Sequence, residues 1–213
     1  MSNVIETPVL IVGAGPVGLA LSIELGWRGI KNTLIDQGDG TLEHPRTGLV
    51  AVRTMEMFRR WGFAENIRHC GFPDDYELSM VFCTSLNGFM LDKEFYPSMQ
   101  DTPTPKENKK KKQRCPQLWM QPMLTEKAQS QPNSSVVFRR RLESFEQSGD
   151  GVTSKVMDLD TKQELIFKSQ FLIGADGATS NVRKQLGIEL QGRLLSYSIN
   201  ILISAPNLTS KHR

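Results

Sequence analysis

A Rossmann-like α/β fold with a parallel sheet is expected here, and three features carry that expectation. Val9-Leu10-Ile11-Val12 is apolar at every position, as a strand buried on both faces must be. A glycine-rich turn follows it at once. The chain then returns through one helix to a second apolar stretch, Thr33-Leu34-Ile35. So short a strand–helix–strand return closes by a right-handed crossover, which makes the two strands parallel neighbours.

The first helix runs to about Trp27, with Val17, Leu21 and Leu25 recurring at four-residue spacing and Gly26 and Gly29 marking its end. Gln37 to Ala51 reads as a loop, and Arg53 to Trp61 as a helix with Met55 and Phe58 on its apolar face and Met57 as a further candidate. Leu78–Cys83 and Phe89–Phe95 read as a hairpin about a two-residue Asn87-Gly88 turn. Pro97 to Pro116 is rich in proline and charge and is expected to be a mobile excursion. A helix is expected over Met120–Ser130, opening just before Pro122, where proline suits a first turn. Val136–Phe138, Leu142–Phe145, Val152–Leu159 and Glu164–Phe167 read as short strands, and Leu172-Ile173 as a further buried one. Asn181–Leu186 reads as a helix closed by Gly187, and Tyr197–Ser204 as a last strand.

Composition narrows the class. At 38% hydrophobic and 23% charged, the 213 residues exclude a disordered, collagenous or membrane chain. The run Val9–Leu21 is broken by Gly13, Gly15, Pro16 and Gly18 and is too short to span a bilayer. No Lys or Arg precedes it, so it is no signal peptide; a cytoplasmic protein without a membrane partner is expected. Cys70, Cys83 and Cys115 form no paired framework and read as reduced thiols, and the scattered His44, His69 and His212 offer no metal-ligand spacing.

The net charge of +3 is local. Residues 106–114 hold six cations and one anion, and taking that +5 away leaves −2 for the rest. Like charges in a run repel and stay wet, so a solvated loop is the simple reading. A nuclear-import or nucleic-acid segment is the alternative, but no aromatic side chain interleaves the run and no nucleic-acid partner is expected.

The residues that carry chemistry begin at Gly13-Ala14-Gly15-Pro16-Val17-Gly18, a G-x-G-x-x-G directly after a strand and opening a helix. Gly13 permits the tight turn, Gly15 lets a pyrophosphate approach the backbone, and Gly18 lets helix and strand pack closely. Unpaired N–H groups at the helix start then face the phosphate charge. Asp36, at the end of the next strand, is placed to accept hydrogen bonds from both hydroxyls of an adenosine ribose and to repel a 2′-phosphate. This is a dinucleotide site, for FAD or NAD rather than NADP.

A plain NAD dehydrogenase would continue strand–helix–strand. This chain returns much later with Phe171-Leu172-Ile173-Gly174-Ala175-Asp176-Gly177-Ala178-Thr179-Ser180-Asn181-Val182-Arg183. There it resembles the FAD-dependent aromatic-ring monooxygenases of the para-hydroxybenzoate hydroxylase and phenol hydroxylase type. Asp176, Gly177, Ser180 and Arg183 match the family's second fingerprint position for position. On the residues alone this stretch could equally be a strand-to-helix turn capped by an Asp. The resemblance implies that Asp176-Gly177 lies against the flavin pyrophosphate and takes part in both FAD and NAD(P)H binding.

The segment His44-Pro45-Arg46-Thr47-Gly48 also resembles the family, which implies that Arg46 pairs with the cofactor phosphates; a surface arginine is the alternative. Arg114-Cys115-Pro116-Gln117 resembles the segment whose glutamine touches the ribityl or adenosine part, which implies that role for Gln117. Main-chain contact of Leu142 with the adenine is implied likewise. Asp36-Gln37 stands where the family usually has Glu-Arg, so the ribose contact is made by a shorter acid, with Gln37 beside it.

The resemblance implies a FAD-binding domain over 1–77 and 115–190, with an inserted, incomplete antiparallel β segment of a substrate domain at 78–114 and 191–213. It implies FAD as cofactor, NADPH or NADH as reductant, O₂, and a small aromatic substrate, typically a phenol. The family's third motif, a Gly-Asp near the ribityl chain, has no counterpart, so a truncated chain is expected. A non-catalytic FAD- or nucleotide-binding fragment is the competing reading.

Overall fold

The computed structural model describes residues 3–42, 44, 47–193, 197, 199 and 201. The chain divides into two compact units, Met1–Glu43 with Leu118–Arg193, and His44–Gln117 with Leu194–Arg213. Residues 44–77, expected with the FAD-binding domain, thus fall in the second unit.

The first unit contains strands β1 (Asn3–Glu6), β2 (Val9–Val12) and β3 (Asn32–Ile35), with helix α1 (Pro16–Trp27) between the last two. In the second unit lie β4 (Leu49–Val50), α2 (Val52–Arg60), α3 (Ala64–Arg68), β5 (Met80–Cys83), β6 (Met90–Glu94) and β7 (Gln113–Arg114). Then follow α4 (Gln117–Gln129), β8 (Ser134–Val137), β9 (Arg140–Ser148), β10 (Gly151–Asp158), β11 (Glu164–Ser169), β12 (Phe171–Gly174) and α5 (Asn181–Gln185).

The expected parallel sheet is present, in the order β12-β2-β3-β8 with every pairing parallel. All four residues of β2 are buried, as are all four of β3. A second sheet, β1-β11-β10-β9, packs against it. Leu10, Val12 and Ile35 form one core with Leu142, Val156, Leu165, Phe167 and Val182. In this second sheet β9, β10 and β11 run antiparallel, while β1 joins β11 in parallel. β1 was not expected; four residues with Val4 and Ile5 exposed carry no burial pattern.

The start of β3 is pinned by a buried polar network. Asn32 is 1% exposed, and its Oδ1 accepts from Ser22 Oγ at 2.7 Å while its Nδ2 donates to Ser134 Oγ at 3.0 Å. Ser134 Oγ in turn donates to the Ser22 carbonyl at 2.9 Å, so one cluster ties α1, β3 and β8 together.

Four expectations are corrected. The hairpin forms, but not on a two-residue turn: the strands are joined through Thr84–Phe89, with Gly88 N–H donating to the Ser85 carbonyl at 3.0 Å. Neither Asn87 nor Gly88 adopts the positive φ that a type I′ turn requires. Helix α4 opens at Gln117 rather than Met120, with Pro122 inside it. Proline there forfeits one ladder bond, and buried Met120, Leu124 and Ala128 on one face keep the helix in place. Short α3 was not anticipated, being too brief to show a period.

The fourth correction is the basic tract, which is no free excursion. Lys110 N–H donates to Glu56 Oε1 at 2.9 Å and Lys110 Nζ bonds Glu65. Lys111 Nζ donates to the carbonyls of Met99, Gln100 and Thr102, and β7 pairs antiparallel with β4. Met99 is buried beneath it. Carbonyls and a carboxylate within the unit satisfy the Lys110 and Lys111 ammonium groups, which the run alone would leave to water. The expected strand Tyr197–Ser204 lies, apart from three single positions, outside the described residues.

Candidate functional site

The glycine turn leaves β2 with Gly13 at φ +112°, a conformation open to glycine. Gly13 N–H donates to the Ile35 carbonyl at 2.8 Å, which ties the turn to the neighbouring strand. A Cβ on Gly13 would stand 2.4 Å from the Ala175 carbonyl oxygen, and one on Gly18 would stand 1.9 Å from the Gly13 oxygen and 3.3 Å from Ala175 Cβ. The two fingerprints, far apart in sequence, therefore touch backbone to backbone. Ala175 N–H also donates to the Val12 carbonyl at 2.7 Å, extending the β2–β12 pairing into both turns.

Gly15 is different. A Cβ there would meet nothing within 4 Å. Gly15 is also the N-cap of α1, with φ −70° and no side-chain cap, and the first turn carries no acid. The N–H groups of Val17 and Gly18 have no partner within the helix, and the positive end of its dipole meets no acid in the first turn. This is the arrangement an anion satisfies.

Asp36 stands beside that turn. Its Oδ2 accepts from Ala14 N–H at 2.6 Å and its Oδ1 from Gly38 N–H at 2.7 Å, so the carboxylate is held in place while each oxygen keeps acceptor capacity. Gln37 next to it is exposed. A diphosphate over Gly15 with a ribose at Asp36 fits these groups.

Asp176 has another occupation. Its Oδ2 accepts from Asn181 N–H at 2.6 Å and Val182 N–H at 3.1 Å, and its Oδ1 from Ser180 Oγ. Ser180 Oγ accepts from Arg183 N–H at 3.0 Å. The carboxylate thus caps α5, and what the turn leaves for a ligand is its main chain, with Gly177 at φ +82°. Leu142 belongs to the core at 4% exposure, and its carbonyl accepts from Asn181 Nδ2 at 3.2 Å. Asn181, which the sequence gave no reason to single out, so links the second fingerprint to β9.

In the second unit, Gln117 is buried, and its N–H donates to the Thr47 carbonyl at 3.0 Å while Cys115 N–H donates to the Gly48 carbonyl at 2.9 Å. The segment after the second strand is thereby stapled to the segment before α4. Arg46 lies outside the described residues. Burial, joined by the neighbouring Cys70 thiol, pushes the Cys115 thiol well above its ordinary range, so it stays protonated and is no nucleophile.

A family profile described as FAD binding domain matches residues 6–213. The chain belongs to that family. This FAD binding domain is related to the phenol and dichlorophenol hydroxylases. It is 32% identical over 214 residues to the 2,4-dichlorophenol 6-monooxygenase of Cupriavidus pinatubonensis, an alignment that takes in 96% of this chain and 35% of that protein. Among solved structures, the rebeccamycin biosynthetic enzyme RebC with reduced flavin superposes with a TM-score of 0.79 at 38% identity, over 86% of this chain and 35% of that one. The flavin-dependent monooxygenase PieE, in complex with FAD and substrate, gives 0.78 at 32% identity, over 89% and 33%. The chain thus spans about a third of the length of the proteins it matches. Among the described residues, no helix is long and apolar enough to cross a membrane.

Proposed function

We propose that this FAD binding domain serves an aromatic-ring monooxygenase that hydroxylates a phenolic substrate with NADH or NADPH and O₂. The observation that carries the reading is the junction of the two glycine turns beside a helix start that has neither cap nor acid. FAD, when bound, supplies the redox chemistry, accepting reducing equivalents from the nicotinamide and activating O₂ for transfer of one oxygen to the ring.

The chain's own residues bind and orient. Val17 and Gly18 N–H groups, with the α1 dipole, neutralise the pyrophosphate, and the bare backbone of Gly13, Ala14, Gly15 and Pro16 lets it approach. Asp36 accepts the ribose hydroxyls, with Gln37 at its side. Arg46 adds a guanidinium fork to the phosphates. The Asp176-Gly177 main chain closes the pocket, with the carboxylate kept as the cap of α5. Gln117 contacts the ribityl or adenosine part, and the Leu142 main chain flanks the adenine. The division into a FAD-binding domain at 1–77 and 115–190 and a substrate-domain segment at 78–114 and 191–213 belongs to the same proposal. No acid or base of this chain is assigned to the chemistry.

The test is the visible absorption spectrum of the purified chain after FAD is added and the sample desalted. Retained flavin bands support the cofactor reading, and a folded protein that stays colourless overturns it. NAD(P)H oxidation stimulated by phenols then tests the hydroxylase reading; a yellow protein indifferent to phenols would refute that part alone.

A further inference from the structure

We propose a second anion site in the 44–117 unit, a cavity of about 200 Å³ that takes a phosphate monoester or free phosphate dianion. The cavity lies between α3, the basic tract and β7. Arg68, Lys109, Lys110 and Lys111 border it against a single carboxylate, Glu65, an excess of three positive charges. Met55 and Ala64 supply an apolar wall, and low-dielectric walls concentrate the field of the cations.

Two of these charges are anchored by the fold. The backbone of Lys110 is fixed on Glu56, and its ammonium is spent on Glu65. The Lys111 ammonium is anchored by three carbonyls, which satisfy its N–H groups without cancelling its charge. Arg68 stands 3.9 Å from Glu65, beyond a close ion pair, so its guanidinium keeps donors to offer.

A second and independent observation points to a ligand. Gln113, also bordering the cavity, is 2% exposed, and its Nε2 finds no hydrogen-bond partner among the described residues. A buried amide donor without an acceptor is a rare and costly condition, and an oxyanion in the cavity supplies the acceptor once the Gln113 side chain turns toward it. A small dianion with several acceptor oxygens matches both the charge excess and the orphaned donor.

The test is calorimetric titration of inorganic phosphate into the full chain at low ionic strength, with FAD at saturation so that the glycine turn cannot report. Saturable one-to-one binding is expected. Gln113→Met, which keeps the volume and removes the donor, and Arg68→Ala should each weaken it about tenfold, about 1.4 kcal/mol. Lys106→Ala, an exposed cation outside the cavity, should leave it unchanged. Equal weakening by Lys106→Ala, or no saturable binding to a folded chain, overturns the site; far-UV circular dichroism of each variant checks folding. Competition by NADPH but not NADH would assign the phosphate to the nucleotide's 2′ position, an outcome that also rests on the proposed reductant. Competition by neither leaves free phosphate as the ligand. If the chain fails to hold FAD, the proposed function fails, yet the dependence on Gln113 and Arg68 still decides this site.

Discussion

Gly15→Ala adds one methyl group at a point where the protein leaves open space. The backbone of Gly15, at φ −70° and ψ 176°, suits alanine, and nothing lies within 4 Å of the new Cβ. Two small effects on stability then oppose each other. Alanine restricts the unfolded chain, which favours folding by about 0.4–1 kcal/mol. It is also a poorer N-cap than glycine, which costs about 0.5–1 kcal/mol. The sum lies near zero, so the urea midpoint should barely move.

Cofactor binding should respond quite differently. The methyl occupies the approach over Gly15, and losing one charge-assisted contact to a phosphate costs about 1.5–3 kcal/mol, or about 10- to 150-fold in Kd. Flavin fluorescence titration beside a urea melt reads both quantities on one preparation. Gly13→Ala is the contrast, because its Cβ would stand 2.4 Å from a carbonyl oxygen in a left-handed conformation, so folding itself should suffer. Unchanged FAD affinity in Gly15→Ala would refute the pyrophosphate placement. A loss of stability in Gly15→Ala matching that of Gly13→Ala would refute the reading of the turn as open.

Arg46→Ala should weaken FAD binding by about 1.5–3 kcal/mol while Lys106→Ala does not, and equal effects in the titration would remove Arg46 from the phosphate site. Asn32→Ala leaves Ser22 and Ser134 without their buried partner, so chemical denaturation should show a loss of about 1–3 kcal/mol. Burial alone would raise the carboxyl of Asp158, but the N–H groups of Thr161 and Asp160 and the Arg140 guanidinium, 2.9 Å away, outweigh it and hold the group below its ordinary value. A depressed carboxyl contributes stability above its unfolded pKa and loses it as pH falls through the folded one. The urea midpoint should therefore drop on acidification below about pH 4, and Asp158→Asn should flatten that drop; an identical acid profile in the variant would count against the ion pair.

How far the sequence reached differs between elements. The β2–α1–β3 unit was legible because its signals are local: an unbroken apolar run, glycines at fixed offsets, and an acid at the next strand's end. The hairpin was legible in its strands and misread in its turn, since Asn87-Gly88 permits a type I′ turn without requiring one. α4 was placed late because Pro122 is a strong local stop signal that buried Met120, Leu124 and Ala128 override. β1 depends wholly on an edge offered by β11, far along the chain, and left no trace in its own residues.

The site divides in the same way. Sequence alone determined that a glycine turn opens α1 and that Asp36 follows at the end of the next strand, because chain stereochemistry imposes that spacing. Only the tertiary structure decided that Gly13 and Gly18 meet Ala175, that the Asp176 carboxylate caps α5, and that Lys110 and Lys111 of the basic tract turn to Glu65 and to the carbonyls of Met99, Gln100 and Thr102. Those outcomes depend on which distant carbonyls and N–H groups come within hydrogen-bonding reach. That is a property of packing, which a one-dimensional pattern of charges and glycines does not contain.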